Sequence, residues 1–323
     1  MKRAVKWAFG ILALALIAGF AIGYTPDTDV SAMKAKYGSP ASQFVDIGDG
    51  ITVHVRDEGK RDGPAVVLVH GSNASLQTWE PWVKRLGDTY RIVTLDLPGH
   101  GLTGTDPRGV YDYPAFVDVV DRVMTKLNVP RAVIGGNSMG GGVAWMFALA
   151  HPEKTAGVML IDAAGAPQWQ SRSNPIGFRI ARTPVIRNLA KIITPRSVFE
   201  SSLKTSVYDA AQVTPELVDR YWELNRYPGN REATLRRFAL VHNNHPASKK
   251  TLAAIDVPVM IMWGAEDNLI PVSSARWFKE ALPAATLVIY DRIGHIPMEE
   301  TPDLSARDAR KWLDGIGGDQ TRN

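Results

Sequence analysis

The stretch VIGGNSMGGGV, residues Val133–Val143, is a short apolar run followed by five glycines around one serine. Glycine disfavours strands and helices by about 0.5–1 kcal/mol per position, so this cluster indicates that other backbone passes close to Ser138. Residues 136–140 (GNSMG) match G-x-S-x-G, in which a nucleophilic serine occupies a sharp turn between a strand and a helix. The pattern therefore predicts that Ser138 is a nucleophile.

Apolar runs on both sides of this motif predict the strands of a sheet. Continuous apolar runs are typical of strands buried on both faces of a parallel sheet. Helical patterns lie between the runs, and this alternation indicates βαβ units. The predicted fold class is α/β, with a doubly wound, mostly parallel sheet. The continuous runs are AVVLVHG (65–71), RIVTLDLPG (91–99), RAVIGGNS (131–138), AGVMLIDAAG (156–165), VPVMIMWG (257–264) and ATLVIYD (285–291). A further strand is predicted at ITVHVRDEG (51–59), where apolar and polar residues alternate as in a half-buried strand.

The spacing of these runs predicts how the chain is divided. A stretch of helical pattern without a strand interrupts the alternation and predicts a helical lid inserted into the core. The predicted parts are a polar tether (25–45), the first part of the core (46–166), the lid (167–254), the second part of the core (255–318) and a polar tail (319–323).

The N-terminal segment predicts where in the cell the protein is located. Trp7–Tyr24 carries no charge, and Lys2, Arg3 and Lys6 precede it. A membrane-spanning helix needs about 17–25 residues, whereas a signal-peptide core has about 7–15. Residues 1–24 are therefore predicted to be an N-terminal hydrophobic helix that anchors the chain, with a cleaved signal peptide as the alternative. Either reading places the catalytic domain outside the cytoplasm, secreted or periplasmic after cleavage.

Composition excludes several classes of protein. The chain has no cysteine, which excludes disulfides and thiolate catalysis. A net charge of +4 without a Lys/Arg-rich block argues against a nucleic-acid partner. The seven histidines show no HExxH or similar spacing. We therefore expect no metal and no cofactor.

A nucleophilic serine needs a base, and the base needs a carboxylate that orients it. His295 (in GHIPMEETP) and Asp267 (in GAEDNLIP) each follow a predicted strand, where active sites of open α/β sheets lie. They also follow Ser138 in the order Ser, Asp, His. His295 is thus the predicted base and Asp267 the predicted acid, while Asp162, at the end of another strand, is the second candidate for the acid.

Backbone donors are expected to stabilise the oxyanion that forms during such a reaction. The N–H group of Met139 directly follows the serine and is one predicted donor. The second lies in LVHGSNAS (68–75), which leaves its strand at the same edge of the sheet. Ser72 is the predicted residue and Asn73 the alternative.

Five motifs in this order, HGSN, DLPGHG, GNSMGG, GAEDNLIP and GHIPMEE, resemble the α/β-hydrolase superfamily over about residues 53–313. The chain looks like a lid-bearing serine hydrolase, similar to carboxylesterases and monoacylglycerol-lipase-like enzymes. The resemblance implies that Ser138, His295 and Asp267 cleave a lipophilic, small-molecule ester through an acyl-enzyme, without a cofactor.

Other activities share these motifs. GNSMGG is common among the carbon–carbon bond hydrolases of aromatic catabolism, but those usually show HGGGPG and a tryptophan after the histidine. Here the loop reads HGSNAS and Ile296 follows His295, which favours ester hydrolysis. A haloperoxidase-like perhydrolase would use the same triad. A non-enzymatic binding protein of this fold would typically lack a triad residue.

A basic segment of the predicted lid suggests a second contact with a membrane. Ala163–Phe199 contains no Asp or Glu, and its Arg and Lys residues alternate with apolar ones. Such a stretch is typical of helices that lie on an anionic bilayer. The alternative is that the apolar residues line the acyl pocket while the cations face solvent.

Overall fold

Eight strands form one sheet in the computed structural model, which describes residue 7 and residues 23–167, 183–240 and 247–320. The order across the sheet is β1-β2-β4-β3-β5-β6-β7-β8. The first two pairings, β1 with β2 and β2 with β4, are antiparallel, and the remaining pairings are parallel. The strands are β1 (Ser42–Asp46), β2 (Thr52–Gly59), β3 (Ala65–Val69), β4 (Arg91–Leu95), β5 (Ala132–Asn137), β6 (Thr155–Ile161), β7 (Val259–Gly264) and β8 (Thr286–Tyr290).

Helices cover both faces of this sheet. Successive residues of a strand point to opposite faces, and along β3 Val67 and Val69 join one apolar cluster while Val66 and Leu68 join another. The predicted α/β class and the mostly parallel sheet are confirmed. The helices are α1 (Val30–Tyr37), α2 (Glu80–Leu86), α3 (Tyr113–Lys126), α4 (Met139–Ala150), α5 (Pro184–Ala190), α6 (Arg196–Ser206), α7 (Pro215–Asn225), α8 (Asn230–Leu240), α9 (Lys249–Leu252), α10 (Ser273–Ala281), α11 (Pro297–Glu300) and α12 (Pro302–Gln320), with 3₁₀ turns at Leu76–Trp79, Pro152–Lys154 and Ala210–Gln212.

Helices α5 to α9 lie between β6 and β7, within the span predicted to be a lid. Phe199 and Leu203 of α6 pack against Val218 and Tyr221 of α7, and Ala74 belongs to the same cluster. Because Ala74 lies in the loop after β3, these helices cover the edge where the parallel strands end. These helices, which are called the lid below after the prediction, are therefore packed over the predicted oxyanion loop.

The prediction of a polar tether over residues 25–45 needs correction. Helix α1 begins after Asp29, whose side chain accepts a hydrogen bond from Ala32 N at 2.7 Å. Strand β1 follows as the edge of the sheet, and Phe44 stacks on His54 of β2. Strand β1 was not predicted because an edge strand has few buried residues and therefore no clear apolar pattern. At the other end, α12 continues to Gln320, so the predicted polar tail, residues 319–323, begins within a helix.

The predicted membrane-anchored localisation is also corrected. Across the residues that the structure describes, no helix has the length and apolar character needed to cross a membrane. The apolar run Trp7–Tyr24, predicted to be an N-terminal helix or a cleaved signal, lies mostly outside the described residues. Arg172, Arg179 and Arg182 of the basic segment also lie outside them.

Candidate active site

Ser138 occupies a single-residue turn between β5, which ends at Asn137, and α4, which begins at Met139. Its φ of 54° and ψ of −115° are strained for a residue with a side chain. Ser138 N donates to Ile161 O at 2.9 Å, which fixes the turn against β6. The half-buried serine therefore lies at the carboxyl edge of the sheet, as G-x-S-x-G predicts.

The glycines of this motif are required by close backbone contacts. A Cβ on Gly136 would lie 2.2 Å from the carbonyl carbon of Gly140. A Cβ on Gly140 would lie 2.1 Å from the carbonyl oxygen of Val69 in β3. Neither position has room for a methyl group, because the obstructing atoms are backbone. The turn is thus compact enough to hold Ser138 against two neighbouring strands.

We predict that Gly136→Ala destabilises the protein by about 3 kcal/mol or more, as overpacking of rigid cores does at its upper range. Gly315→Ala in α12 is the matched control. A Cβ there meets nothing within 4 Å, and alanine is favoured over glycine in a helix by about 1 kcal/mol. Urea unfolding of both variants measures the difference. Equal stability of the two variants would contradict the packing described here.

His295 and Asp267 form a buried pair. His295 Nδ1 lies 2.6 Å from Asp267 Oδ2, with the side chains 6% and 0% exposed. The other oxygen, Asp267 Oδ1, accepts hydrogen bonds from Leu269 N at 2.7 Å and Ile270 N at 2.9 Å. Both oxygens of the carboxylate are therefore occupied, which fixes its orientation and leaves His295 Nε2 for chemistry.

Three further contacts hold the His295 loop beside Ser138. Asn137 Nδ2 donates to His295 O at 2.9 Å, and Asn137 directly precedes the serine. His295 N donates to Ser206 O of the lid at 2.7 Å. The Glu300 carboxylate accepts from Gly294 N at 3.0 Å. Asn137 lies in GNSMGG and Glu300 in GHIPMEE, but no sequence pattern predicts that these two residues and Ser206 hold the His295 loop.

Asp162 lies beside the His295–Asp267 pair but makes a different hydrogen bond. It is completely buried, has a φ of 45°, and accepts a hydrogen bond from Gly264 N at 2.9 Å through Oδ1. Burial, and secondly the Asp267 carboxylate beside it, raise the pKa of Asp162 well above the ordinary value. Of the two candidate acids, Asp267 contacts the His295 ring at hydrogen-bond distance.

Asp162, Asp267 and His295 are also the described residues whose spacing comes nearest to a metal site. One ligand atom from each lies within 4.8 Å of the others. However, the Asp267 and His295 atoms already bind each other at 2.6 Å. The carboxyl of Asp162 is stabilised in its neutral form, which is a poor metal ligand. The arrangement is better suited to proton transfer than to holding an ion.

We predict that Asp162→Asn stabilises the protein increasingly as the pH rises. The pKa of Asp162 is higher in the folded than in the unfolded chain. The stability that it contributes is complete below its unfolded pKa, about 3.9, and is lost as the pH rises toward its folded pKa. Asparagine cannot ionise, so the melting temperature of the variant minus that of the wild type should grow from pH 5 to pH 8. A constant or shrinking difference would contradict the raised pKa.

The loop after β3 passes directly beside the serine. A Cβ on Gly71 would lie 3.3 Å from Ser138 Cβ. Ser72 and Asn73 follow, and the lid contacts both: Arg237 Nη1 donates to Ser72 Oγ at 2.6 Å, and Thr234 Oγ1 donates to Asn73 Oδ1 at 3.1 Å. Of the predicted oxyanion residues, Met139 directly follows Ser138 and Ser72 directly follows Gly71, and Asn73 is still open as the alternative to Ser72.

A second Ser–His–Asp chain lies elsewhere in the sheet. His54 Nδ1 is 2.7 Å from Asp96 Oδ2, and His54 Nε2 is 2.8 Å from Ser42 Oγ. The Ser42 oxygen also accepts from Ser39 N at 3.0 Å. Ser42 lies in an edge strand without the strained turn and helix start that Ser138 has. This hydrogen-bonded Ser–His–Asp array therefore connects β1 to the loop after β4. Of the two serines, Ser138 is the one with the features of a nucleophile.

Comparison with known proteins identifies the fold family of this chain. A family model described as alpha/beta hydrolase fold matches residues 64–302. A 2-hydroxy-6-oxo-6-phenylhexa-2,4-dienoate hydrolase of Burkholderia cepacia is 27% identical over 288 residues, or 83% of this chain and 95% of that protein.

Two solved structures are similar to the whole fold. A thermophilic esterase from Thermogutta terrifontis has a TM-score of 0.71 and 25% identity, over 85% of this chain and 99% of its own. A membrane phospholipase A, described as a bacterial virulence factor, has a TM-score of 0.74 and 24% identity, over 98% and 99% of the two chains. The latter likeness shows the fold alone.

Proposed function

The chain belongs to the alpha/beta hydrolase fold family and is a hydrolase, and from that premise we propose that it cleaves small carboxylic esters with Ser138, His295 and Asp267. The observation that carries this proposal is the position of a strained serine beside a buried His–Asp pair. The likeness to the Thermogutta terrifontis esterase supports it.

In the first half of the proposed reaction the enzyme is acylated. His295 Nε2 takes the proton of Ser138 Oγ while that oxygen attacks the ester carbonyl carbon. Asp267 holds the proton on Nδ1 and stabilises the imidazolium that forms. The N–H groups of Met139 and Ser72 bind the oxyanion, and each such donor typically contributes about 2.7–4 kcal/mol at the transition state.

In the second half the acyl group is released. The tetrahedral intermediate collapses, His295 gives its Nε2 proton to the leaving alkoxide, and the alcohol departs. A water molecule then transfers a proton to His295 and attacks the acyl carbon. The carboxylic acid leaves and the proton returns to Ser138 Oγ. These steps use no group from outside the chain except substrate and water.

A second candidate is hydrolysis of a carbon–carbon bond. The Burkholderia cepacia relative, with its named activity on a 6-oxo dienoate, supports it. The same serine, histidine and aspartate would serve that reaction. Ester hydrolysis is favoured because the loop after β3 reads HGSNAS and Ile296 follows His295.

A substrate panel decides between the two candidates. Turnover of 4-nitrophenyl acetate, butyrate and octanoate and of a monoacylglycerol is compared with turnover of 2-hydroxy-6-oxo-6-phenylhexa-2,4-dienoate. We expect ester hydrolysis that is lost in Ser138→Ala. Turnover of the dienoate with no ester hydrolysis would replace the proposal by the second candidate, and turnover of neither class would contradict both.

A further inference from the structure

The lid is in direct contact with the loop that carries the proposed base. This loop, residues 291–296, joins β8 to α11. His295 N donates to the carbonyl oxygen of Ser206, the last residue of lid helix α6, at 2.7 Å. A Cβ on Gly294 would lie 2.4 Å from the same oxygen and 2.9 Å from Tyr208 N. Because the two backbones touch, a shift of the lid at this point displaces the loop.

The carboxylate of Glu300, in α11, joins the two segments a second time. It accepts hydrogen bonds from the N–H groups on either side of His295, from Gly294 N at 3.0 Å and from Ile296 N at 3.3 Å. It also accepts from Tyr208 N of the lid at 2.8 Å. Three consecutive amide groups of the loop, 294 to 296, are therefore held by this carboxylate and by the lid.

The neighbouring carboxylate, Glu299, connects the lid to the oxyanion loop as well. It accepts from Arg220 Nη2 at 2.5 Å and from Tyr221 Oη at 3.1 Å, and both donors belong to lid helix α7. It also accepts from the hydroxyl of Thr78, in the 3₁₀ turn that follows the oxyanion loop. The side chains of Arg220 and Glu299 are only 18% and 12% exposed. One largely buried carboxylate thus joins α7, the turn after the oxyanion loop and the helix that follows His295.

A second link attaches α7 to the core away from these loops. Glu223, near the end of α7, accepts from Lys36 Nζ at 2.6 Å and from Tyr37 Oη at 2.7 Å, and both donors belong to α1. A cavity of about 430 Å³ is lined by α7 and by α1, so the two helices do not pack closely along their whole length. Of the two links, the one at Glu299 reaches the catalytic loops.

We propose that Glu299 is a positioning residue, which makes the alignment of His295 depend on the position of lid helix α7 through Arg220 and Tyr221. This inference rests on the proposed function, in which His295 is the base. A displacement of about 1 Å in a reacting group can lower a rate about 100-fold. The described position of α7 is thus the one in which the base is aligned, and release of α7 weakens catalysis rather than substrate binding.

A role for Glu299 in stability alone makes a different prediction. Loss of its bonds would then lower the melting temperature, but the chains that stay folded would hydrolyse esters at the wild-type rate. A positioning role lowers kcat in the folded chain and leaves KM nearly unchanged, because no contact with the substrate is removed. Kinetics at a temperature at which circular dichroism shows every variant folded therefore separate the two roles.

The experiment measures kcat and KM for 4-nitrophenyl butyrate. Arg220→Gln should lower kcat about 10- to 100-fold and change KM less than about 3-fold, as misalignment of a reacting group does. This variant leaves a buried carboxylate without its cation, which is strongly destabilising, so Tyr221→Phe, which removes one hydroxyl and no charge, is the second variant. It should lower kcat about 3- to 10-fold, the range for one hydrogen bond, with the wild-type KM.

The matched controls use the link at Glu223. Lys36→Gln removes its cation and Tyr37→Phe removes its tyrosine hydroxyl, and both leave the bonds of Glu299 intact. Both should keep kcat within about 2-fold of the wild type, as expected for a partly exposed ion pair. Wild-type kcat in folded Arg220→Gln or in Tyr221→Phe, or equal losses in the two Phe variants, would overturn the positioning role while leaving ester hydrolysis intact.

Hydrogen–deuterium exchange separates this inference from the proposed function. The amide hydrogens of Gly294, His295 and Ile296 are all hydrogen-bonded, so a loosened loop exchanges them faster. In Tyr221→Phe we expect exchange in peptides that span residues 294–296 to be about 3- to 10-fold faster, as for the loss of one hydrogen bond, and in Tyr37→Phe unchanged. If this holds while the wild type hydrolyses no ester, the coupling of lid and loop stands and the proposed reaction fails. If exchange is unchanged in Tyr221→Phe, the coupling fails.

Discussion

Ser138→Ala should lower kcat for ester hydrolysis by about 10⁶-fold, and His295→Ala should cost nearly as much. Nucleophile and base act as one unit, so the double variant should lose little more than either single variant. The physical reason is that neither group can perform half of the proton transfer. Single-turnover kinetics on an activated ester, with circular dichroism to verify folding, measures these losses.

Ser42→Ala is the matched control for this prediction, because Ser42 belongs to the second Ser–His–Asp chain. It removes the same hydroxyl from a similar hydrogen-bonded array and should retain most activity. Loss of activity in Ser42→Ala, with activity retained in Ser138→Ala, would show that the assignment of Ser138 as the nucleophile is wrong.

The second large effect is expected at the acid. Asp267→Asn should lower kcat by about 10⁴-fold, because an amide in place of the carboxylate favours the wrong tautomer of His295. The Asp267 carboxylate accepts two backbone N–H groups through Oδ1 and contacts His295 Nδ1 through Oδ2. The amide can therefore keep the backbone bonds while losing the charge. The pH dependence of kcat and the fold of the variant are measured together.

Asp162→Asn is the comparison that makes this result specific. Asp162 is equally buried and belongs to the same cluster, but its raised pKa stabilises its neutral form. Replacing a neutral carboxyl by an amide should leave most activity intact. If Asp162→Asn is the more damaging of the two changes, the assignment of Asp267 as the acid is wrong.

The sequence allowed much of the fold to be predicted because local pattern carries that information. Continuous apolar runs correspond to β3 to β8, and the glycines around Ser138 follow from contacts as short as 2.1 Å. Strand β1 is an edge strand and helix α1 buries only Met33, so neither shows the continuous apolar pattern that marks the inner strands. The fold is thus most predictable where burial on both faces leaves little choice of residue type.

The site was predictable only in part. Motif order pointed to Ser138, Asp267 and His295, which follow β5, β7 and β8 at one edge of the sheet. The contacts that position them join distant parts of the chain, as Asn137 to His295 and Arg237 to Ser72 do, over separations of 158 and 165 residues. Such contacts depend on how the lid packs on the core, and neither periodicity nor a motif records that packing.

The central claim, that Ser138 is a nucleophile activated by His295 and Asp267, is tested most directly by a fluorophosphonate probe. This reagent reacts covalently with activated serines, and tryptic digestion with mass spectrometry locates the adduct. We expect one adduct per chain on Ser138 in the wild type, none in Ser138→Ala, and greatly slowed labelling in His295→Ala. An unlabelled wild type, or an adduct on another residue such as Ser42, would contradict the account.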